Sequence, residues 1–119
     1  KLGESLGHDG LYCKDDGAST SDYGGNKPRK LEFILGEAIA AGAKRIITFG
    51  SAGSNHALAT ALLAKKIGMV TTAILCPQPM TEDCRKNILI QSGLETELIL
   101  APKDEWEKIT DELVRKYEK

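Results

Sequence analysis

No apolar run in the 119 residues approaches the ~18 that a membrane-spanning helix needs, and the stretch KLGESLGHDG carries no secretory hydrophobic region. Charge of one sign is also lacking. Sixteen Lys and Arg against 17 Asp and Glu leave a formal charge of -1, which gives no global field to steer the chain onto nucleic acid or an anionic membrane. These shortages predict a soluble cytoplasmic chain with no nucleic-acid partner and no membrane partner. Three cysteines, Cys13, Cys76 and Cys84, form no CxxC pair, and His8 and His56 are not spaced with them as metal ligands would be, so no metal site is expected. Cys76 and Cys84 read as small, buried, apolar residues. Both GxGxxG and GxxxxGK[ST] are absent, which removes positive support for a nicotinamide or P-loop nucleotide site.

What is present is an α/β rhythm in a chain long enough to form one domain and bury roughly two thirds of the surface its unfolded form exposes. The first helix is expected from about Lys27 to Ala41, with Leu31, Ile34, Leu35, Ala38 and Ile39 on one face and Gly42 in the left-handed closing position. Arg45 to Phe49 reads as a strand, and Ser54 or Asn55 to Ile67 as a second helix ended by Gly68. Val70 to Leu75 is a further strand, and Thr81 caps a third helix to about Ser92, closed by Gly93. Glu97 to Leu100 is another apolar run. Asp104, with Glu107 three residues on, resembles a capping box for a last helix carrying Trp106, Ile109, Leu113 and Tyr117 on one stripe. Leu11 to Lys14 is read as a separate or edge strand. The expected architecture is a three-layer parallel sheet of about four strands with right-handed crossovers and helices on both faces.

Two segments depart from stability alone. YGGNKPRKLEF puts Lys27, Arg29 and Lys30 on the first turn of a helix, where each cation is disfavoured by about 0.3–1 kcal/mol, whereas the third and fourth helices begin with acidic residues. An amine at a positive helix end beside other cations loses its proton more readily, as an amine that attacks a carbonyl must. The alternative is an exposed basic turn. GSAGSNH, Gly50 to His56, follows a strand and opens a helix, so small residues let a ligand approach free amides; taken in isolation, a tight turn with Ser54 or Asn55 as an ordinary N-cap is the readier explanation. His56 has no carboxylate partner identifiable in the sequence and reads as packed or solvent-facing. The polar loop DDGASTSDYGGN either approaches a ligand or stays mobile.

YGGNKPRKLEFILGEAIAAGA and GSNHALATALLAKKIGM, with LYCKDD ahead of them, resemble the D-cysteine desulfhydrase and 1-aminocyclopropane-1-carboxylate deaminase family of fold-type II pyridoxal-phosphate enzymes. The resemblance extends more weakly through RKNILIQSGLETELIL and so covers Leu11 to Leu100. It implies that Lys27, the lysine of GGNK, carries pyridoxal phosphate as a Schiff base. It further implies that Lys30 approaches the phosphate, Asn26 positions the lysine loop, Asn55 contacts the ring's phenolic oxygen and Ser54 receives the substrate carboxylate. Transfer of the Schiff base to a small-molecule amino acid would free the Lys27 amine to move a proton, with release of ammonia and a 2-oxo acid, and of sulfide from a cysteine. Many members have glutamine before SNH and a basic residue two positions after it; here Gly53 and Leu58 stand there.

On this resemblance residues 1–26 are an N-terminal strand and glycine-rich loop, and residues 27–119 one compact cofactor-lysine unit. Members of the family are longer, two-domain proteins whose phosphate loop, pyridine-nitrogen partner and second acid–base group come later. The chain therefore matches an N-terminal portion, either a fragment or a truncated product, whose uncovered apolar face favours a homo-oligomer. The rival expectation is a non-catalytic α/β module that self-associates or binds a phosphorylated small molecule.

Overall fold

The computed structural model describes residues 2–8 and 10–118. After a short helix α1 (Leu2–Leu6) and a loop, the order is α2 (Lys27–Ala40), β1 (Arg45–Ser51), α3 (Asn55–Lys66), β2 (Val70–Cys76), α4 (Glu82–Gly93), β3 (Glu97–Leu100) and α5 (Trp106–Tyr117). The three strands lie in the order β1-β2-β3, all parallel, with Arg45 opposite Val70 and Thr72 opposite Glu97. Alternation along the strands divides the core. Ile46, Ala73, Leu75 and Leu98 meet the α2 and α3 side, while Ile47, Ile74 and Ile99 meet Leu113, Trp106 and Ile109 of α5. Helices thus cover both faces, as the pattern predicts.

Helix α2 buries Leu31 and Leu35 against Ala59, Ala64 and Met69, and Leu35→Ala would cost about 2–5 kcal/mol in such a core. Pro28 sits in its first turn, where a missing N–H costs nothing. Gly42 and Gly68 take left-handed φ values of 71° and 77° after α2 and α3, as expected. Trp106 donates its indole N–H to the Ala101 carbonyl (3.2 Å) and stacks at a tilt on Phe49, centroids 5.2 Å apart.

Two expectations fail and a third holds in altered form. Leu11 to Lys14 forms no strand; all four residues are exposed, Tyr12 by 93%, and no neighbouring strand offers partners for their backbone. The sheet accordingly has three strands. Gly93 closes α4 as its last helical residue and not as a left-handed residue beyond it; Glu95 takes the left-handed position (φ 61°), its N–H donating to the Ser92 carbonyl and its carboxylate pairing with Lys65. Asp104 does not cap α5. A 3-10 turn over Lys103–Glu105 carries the chain from Pro102 into the helix, and Glu105 stands at the N-cap without a side-chain bond.

Topology places the site. A parallel strand followed by a helix puts the N-terminus of α3 beyond the carboxyl end of β1. Because α2 leads directly into β1 from the opposite direction, its own N-terminus comes to the same end. The two segments singled out in the sequence, Asn26–Lys30 and Gly53–His56, are therefore brought to one edge of the sheet.

Candidate functional site

The loop ahead of Lys27 is closed by its own bonds. Gly25 N–H donates to Asp16 O (2.6 Å), Ser19 Oγ lies 2.8 Å from both the Asp16 and Gly25 carbonyls, and Thr20 Oγ1 donates to Tyr23 O (2.7 Å). Gly24 is required, since a Cβ there would stand 2.6 Å from Gly17 O. Of the three cations on the α2 turn, Arg29 is paired with Asp16 at 3.3 Å. The hydrogen bond from Lys14, with the Arg29 charge, outweighs desolvation and holds the Asp16 carboxyl below its usual range. Neither half-buried Lys27 nor exposed Lys30 has an ion-pair partner among the described residues. Asn26, at the N-cap of α2, makes no side-chain cap bond and is exposed.

The second segment is built on two glycines. A Cβ on Gly50 would fall 2.4 Å from Ser54 Cβ and 2.5 Å from its Oγ, so only glycine lets Ser54 fold back over the strand end. Ser54 is the N-cap of α3: its Oγ accepts from Ala57 N–H (3.2 Å), which leaves the hydroxyl hydrogen for an external acceptor. At Gly53 a Cβ would meet Gln78 Nε2 at 2.5 Å and Cys84 Cα at 3.0 Å. Helix α4 therefore fills the space that a glutamine side chain at this position would occupy. Leu58, in place of a basic residue, is buried beneath α3.

Asn55 is exposed at the first turn of α3 and is held from two sides. Tyr23 Oη donates to its carbonyl (3.0 Å), and burial pushes the Tyr23 phenol up, so that it stays a donor. Asn87 of α4 donates through Nδ2 to Gly53 O (2.8 Å) and to Asn55 Oδ1 (3.0 Å). These side chains line a cleft of about 480 Å³ with Asp22, Asp83 and Lys86. His56 is half-buried. Desolvation, and then the charges of Lys27 and Lys30, lower its pKa and keep the imidazole neutral. The α2 turn thus lies near enough to the α3 turn for its charges to bear on His56.

The structure thus brings Lys27, Lys30, Ser54 and Asn55 to one end of the sheet with Asn26 on the adjoining loop. Sequence reasoning missed Tyr23 and Asn87. The structure marks Asn87 out: the buried face of α4 is Cys84, Asn87 and Gln91, at helical spacing, while Leu89 on the same helix is 65% exposed. A helix that buries amides and exposes leucine is serving something other than its core.

Comparison with known proteins bears on the same residues. The pyridoxal-phosphate dependent enzyme family matches residues 1–119. The chain is 39% identical over 117 residues to a putative 1-aminocyclopropane-1-carboxylate deaminase of Pyrococcus abyssi, covering 95% of this chain and 34% of that protein. It is 42% identical over 92 residues to the nocardicin C-9' epimerase of Nocardia uniformis subsp. tsuyamanensis, covering 77% and 28%. A D-cysteine desulfhydrase of Salmonella newport is 41% identical over 75 residues, covering 63% and 23%. The crystal structure of an ACC deaminase homologue superposes with a TM-score of 0.75 at 33% identity, over 97% of this chain and 36% of that one. The chain spans about a third or less of the length of the relatives it matches, in their N-terminal portion. With the whole sequence matched and the fold shared, this chain belongs to the pyridoxal-phosphate dependent enzyme family.

Proposed function

We propose that this chain carries the cofactor-holding lysine of an enzyme that releases ammonia and a 2-oxo acid from a small amino acid. The reading takes its substrate class from the names of the deaminase and desulfhydrase relatives. The observation that carries it is the convergence, beyond the carboxyl end of β1, of the α3 turn at Ser54–Asn55 with half-buried Lys27, which has no ion-pair partner among the described residues.

The donor set fits the group. Lys27 supplies an amine for an aldehyde carbon, Lys30 a cation for a phosphate, Asn55 an exposed carboxamide for a ring oxygen, and Ser54 a free hydroxyl hydrogen for a carboxylate. Gly50 and Gly53 let Ser54 and α4 pack tightly against the turn that holds these donors, because a Cβ at either would strike those neighbours. Pyridoxal phosphate, when bound, supplies an electron sink that stabilises charge at the substrate carbon. Lys27 would hold that group covalently, and its amine, when free, would take or return the proton at that carbon. Asn26, the residue assigned to the lysine loop by resemblance, stands exposed beside Lys27 with no side-chain cap bond. Neutral His56 adds no third positive charge beside Lys27.

The test is to incubate the chain with pyridoxal phosphate, reduce with borohydride and locate the pyridoxyl adduct by peptide mass spectrometry, with Lys27→Ala as control. Selective labelling at Lys27 is expected; labelling scattered over surface lysines and unchanged in the control would sink the proposal. Ammonia release from D-cysteine by the active enzyme would separate this chemistry from epimerisation, which inverts a centre without releasing ammonia.

A second reading, a self-associating α/β module, is favoured by the exposed apolar side chains of α2 and β1. Phe33 is 77% exposed and Ile34 and Phe49 flank the outer edge of β1, which pairs with no strand among the described residues. Sedimentation of the free chain decides it: a stable dimer without Lys27 labelling would favour the module.

A further inference from the structure

We propose that Asn87 is a positioning residue: it fixes which end of the Asn55 carboxamide faces the cofactor. The logic is one of hydrogen-bond direction. A backbone carbonyl only accepts, so the Asn87 atom 2.8 Å from Gly53 O is the amide nitrogen. That NH₂ group also lies 3.0 Å from the Asn55 carboxamide, and the atom it meets there must be the oxygen. Asn55 Oδ1 is therefore turned towards α4, and its Nδ2, with both hydrogens, is turned away. Among the described residues this nitrogen has no protein acceptor.

Asn87 can impose this because it is itself held. It is 8% exposed, and its own carbonyl accepts from Gln91 Nε2 at 3.2 Å. Tyr23 fixes the Asn55 backbone from the other side, so that only rotation of the carboxamide remains to be set. An asparagine free to turn would present oxygen and nitrogen for about half the time each, since the terminal torsion is broad and two-fold. Its oxygen would repel an anionic ring oxygen. Locked by Asn87, Asn55 offers a donor in every molecule, and no reorganisation is needed when the ligand arrives. The inference rests on the reading of Asn55 as the contact to the ring oxygen of pyridoxal phosphate.

The experiment is an absorbance titration of the chain with pyridoxal phosphate for wild type, Asn55→Ala, Asn87→Ala and the double variant. Asn87→Ala is expected to weaken binding by about tenfold, and the double variant to bind no worse than Asn55→Ala alone, because one residue acts through the other. Losses that simply multiply would overturn the proposal. Asn87→Asp, nearly the same shape, cannot donate; it should turn the Asn55 amide towards α4, weaken binding at least as much as alanine and displace the absorbance maximum of the bound group.

Nitrogen-15 NMR of the wild type needs no variant to fold. The Asn87 side-chain amide protons should exchange slowly in the free chain and those of Asn55 at the solvent rate until pyridoxal phosphate is added. Protected Asn55 amide protons before addition would overturn the orientation. Failure of borohydride labelling at Lys27 would instead overturn the role given to the site; the Asn87 protection would survive it, so the two failures are distinguishable.

Discussion

The two ends of the sheet use the same kinds of side chain and treat them oppositely. At the amino end, on the α5 face, Arg45 donates to Thr72 Oγ1 (2.7 Å) and to Glu97 (3.0 Å), Thr72 donates to Glu97 (2.8 Å), and Tyr117 donates to Glu97 at 3.0 Å. Arg45 also lies 3.8 Å over the Tyr117 ring, and Lys116 stands 3.5 Å from the same carboxylate. Each charge there is answered from within the chain. At the carboxyl end, among the described residues, Lys27 and Lys30 have no carboxylate, Asn55 keeps an amide to spare and the Ser54 hydroxyl keeps a hydrogen. A charged group that is paired internally closes a fold, whereas one left unpaired beside helix N-termini is placed to meet something else.

The contrast is broken most completely by Lys27→Ala, which should abolish pyridoxyl labelling at the carboxyl end while leaving the circular dichroism and melting temperature of the chain near wild type. Next in size is Gly50→Ala. Its Cβ would enter within 2.5 Å of Ser54, so we expect about 1–3 kcal/mol of lost stability in denaturant titrations together with weakened labelling.

Glu97→Gln should do the reverse, costing about 1–2 kcal/mol by weakening charge-assisted bonds at a partly exposed site, with labelling of Lys27 unchanged. Desolvation pushes the Glu97 carboxyl up, but the bonds from Thr72 and Tyr117 and the charges of Lys116 and Arg45 win and hold it below 4.5. Its stabilisation is then present above pH 4.5 and lost as pH falls through the lowered value, and the variant should flatten that part of an acid titration.

The smallest effect belongs to His56. Its pKa lies below 6.5 in the fold, so above 6.5 the neutral form costs nothing, and as the pH falls the unfolded chain takes up the proton first. Stability should decline on acidification from pH 6.5 through the lowered value, and His56→Gln should remove that slope. A slope of opposite sign would mean that burial and the nearby lysine charges do not disfavour the imidazolium.

Much of this was legible because local chemistry and position coincide. Ser54 and Thr81 cap where the pattern puts them, each accepting an N–H three residues on, and Gly42 and Gly68 sit where the chain must turn left-handed. Lys27, Lys30 and Asn55 could be brought together in outline, since strand followed by helix dictates which loops share an end. Local signals misled where a longer-range partner decided. Leu11 to Lys14 reads as a short strand but finds no neighbouring strand among the described residues, and Asp104 has the spacing of a cap that the turn after Pro102 makes unnecessary. Asn87 escaped notice because its partners lie 34 and 32 residues away, Gly53 and Asn55, and nothing near it in the sequence announces them.

The packing of Trp106 has a practical meaning for all of this. It is the sole tryptophan, wedged between Ala101 and Phe49 on the α5 face, so the chain's indole emission comes from one known place. Its colour and intensity register detachment of α5 from the sheet without any attached dye. Lys27, at the start of α2 on the other face, can then be altered or derivatised while an optical signal native to the molecule reports separately whether the scaffold beneath it has held.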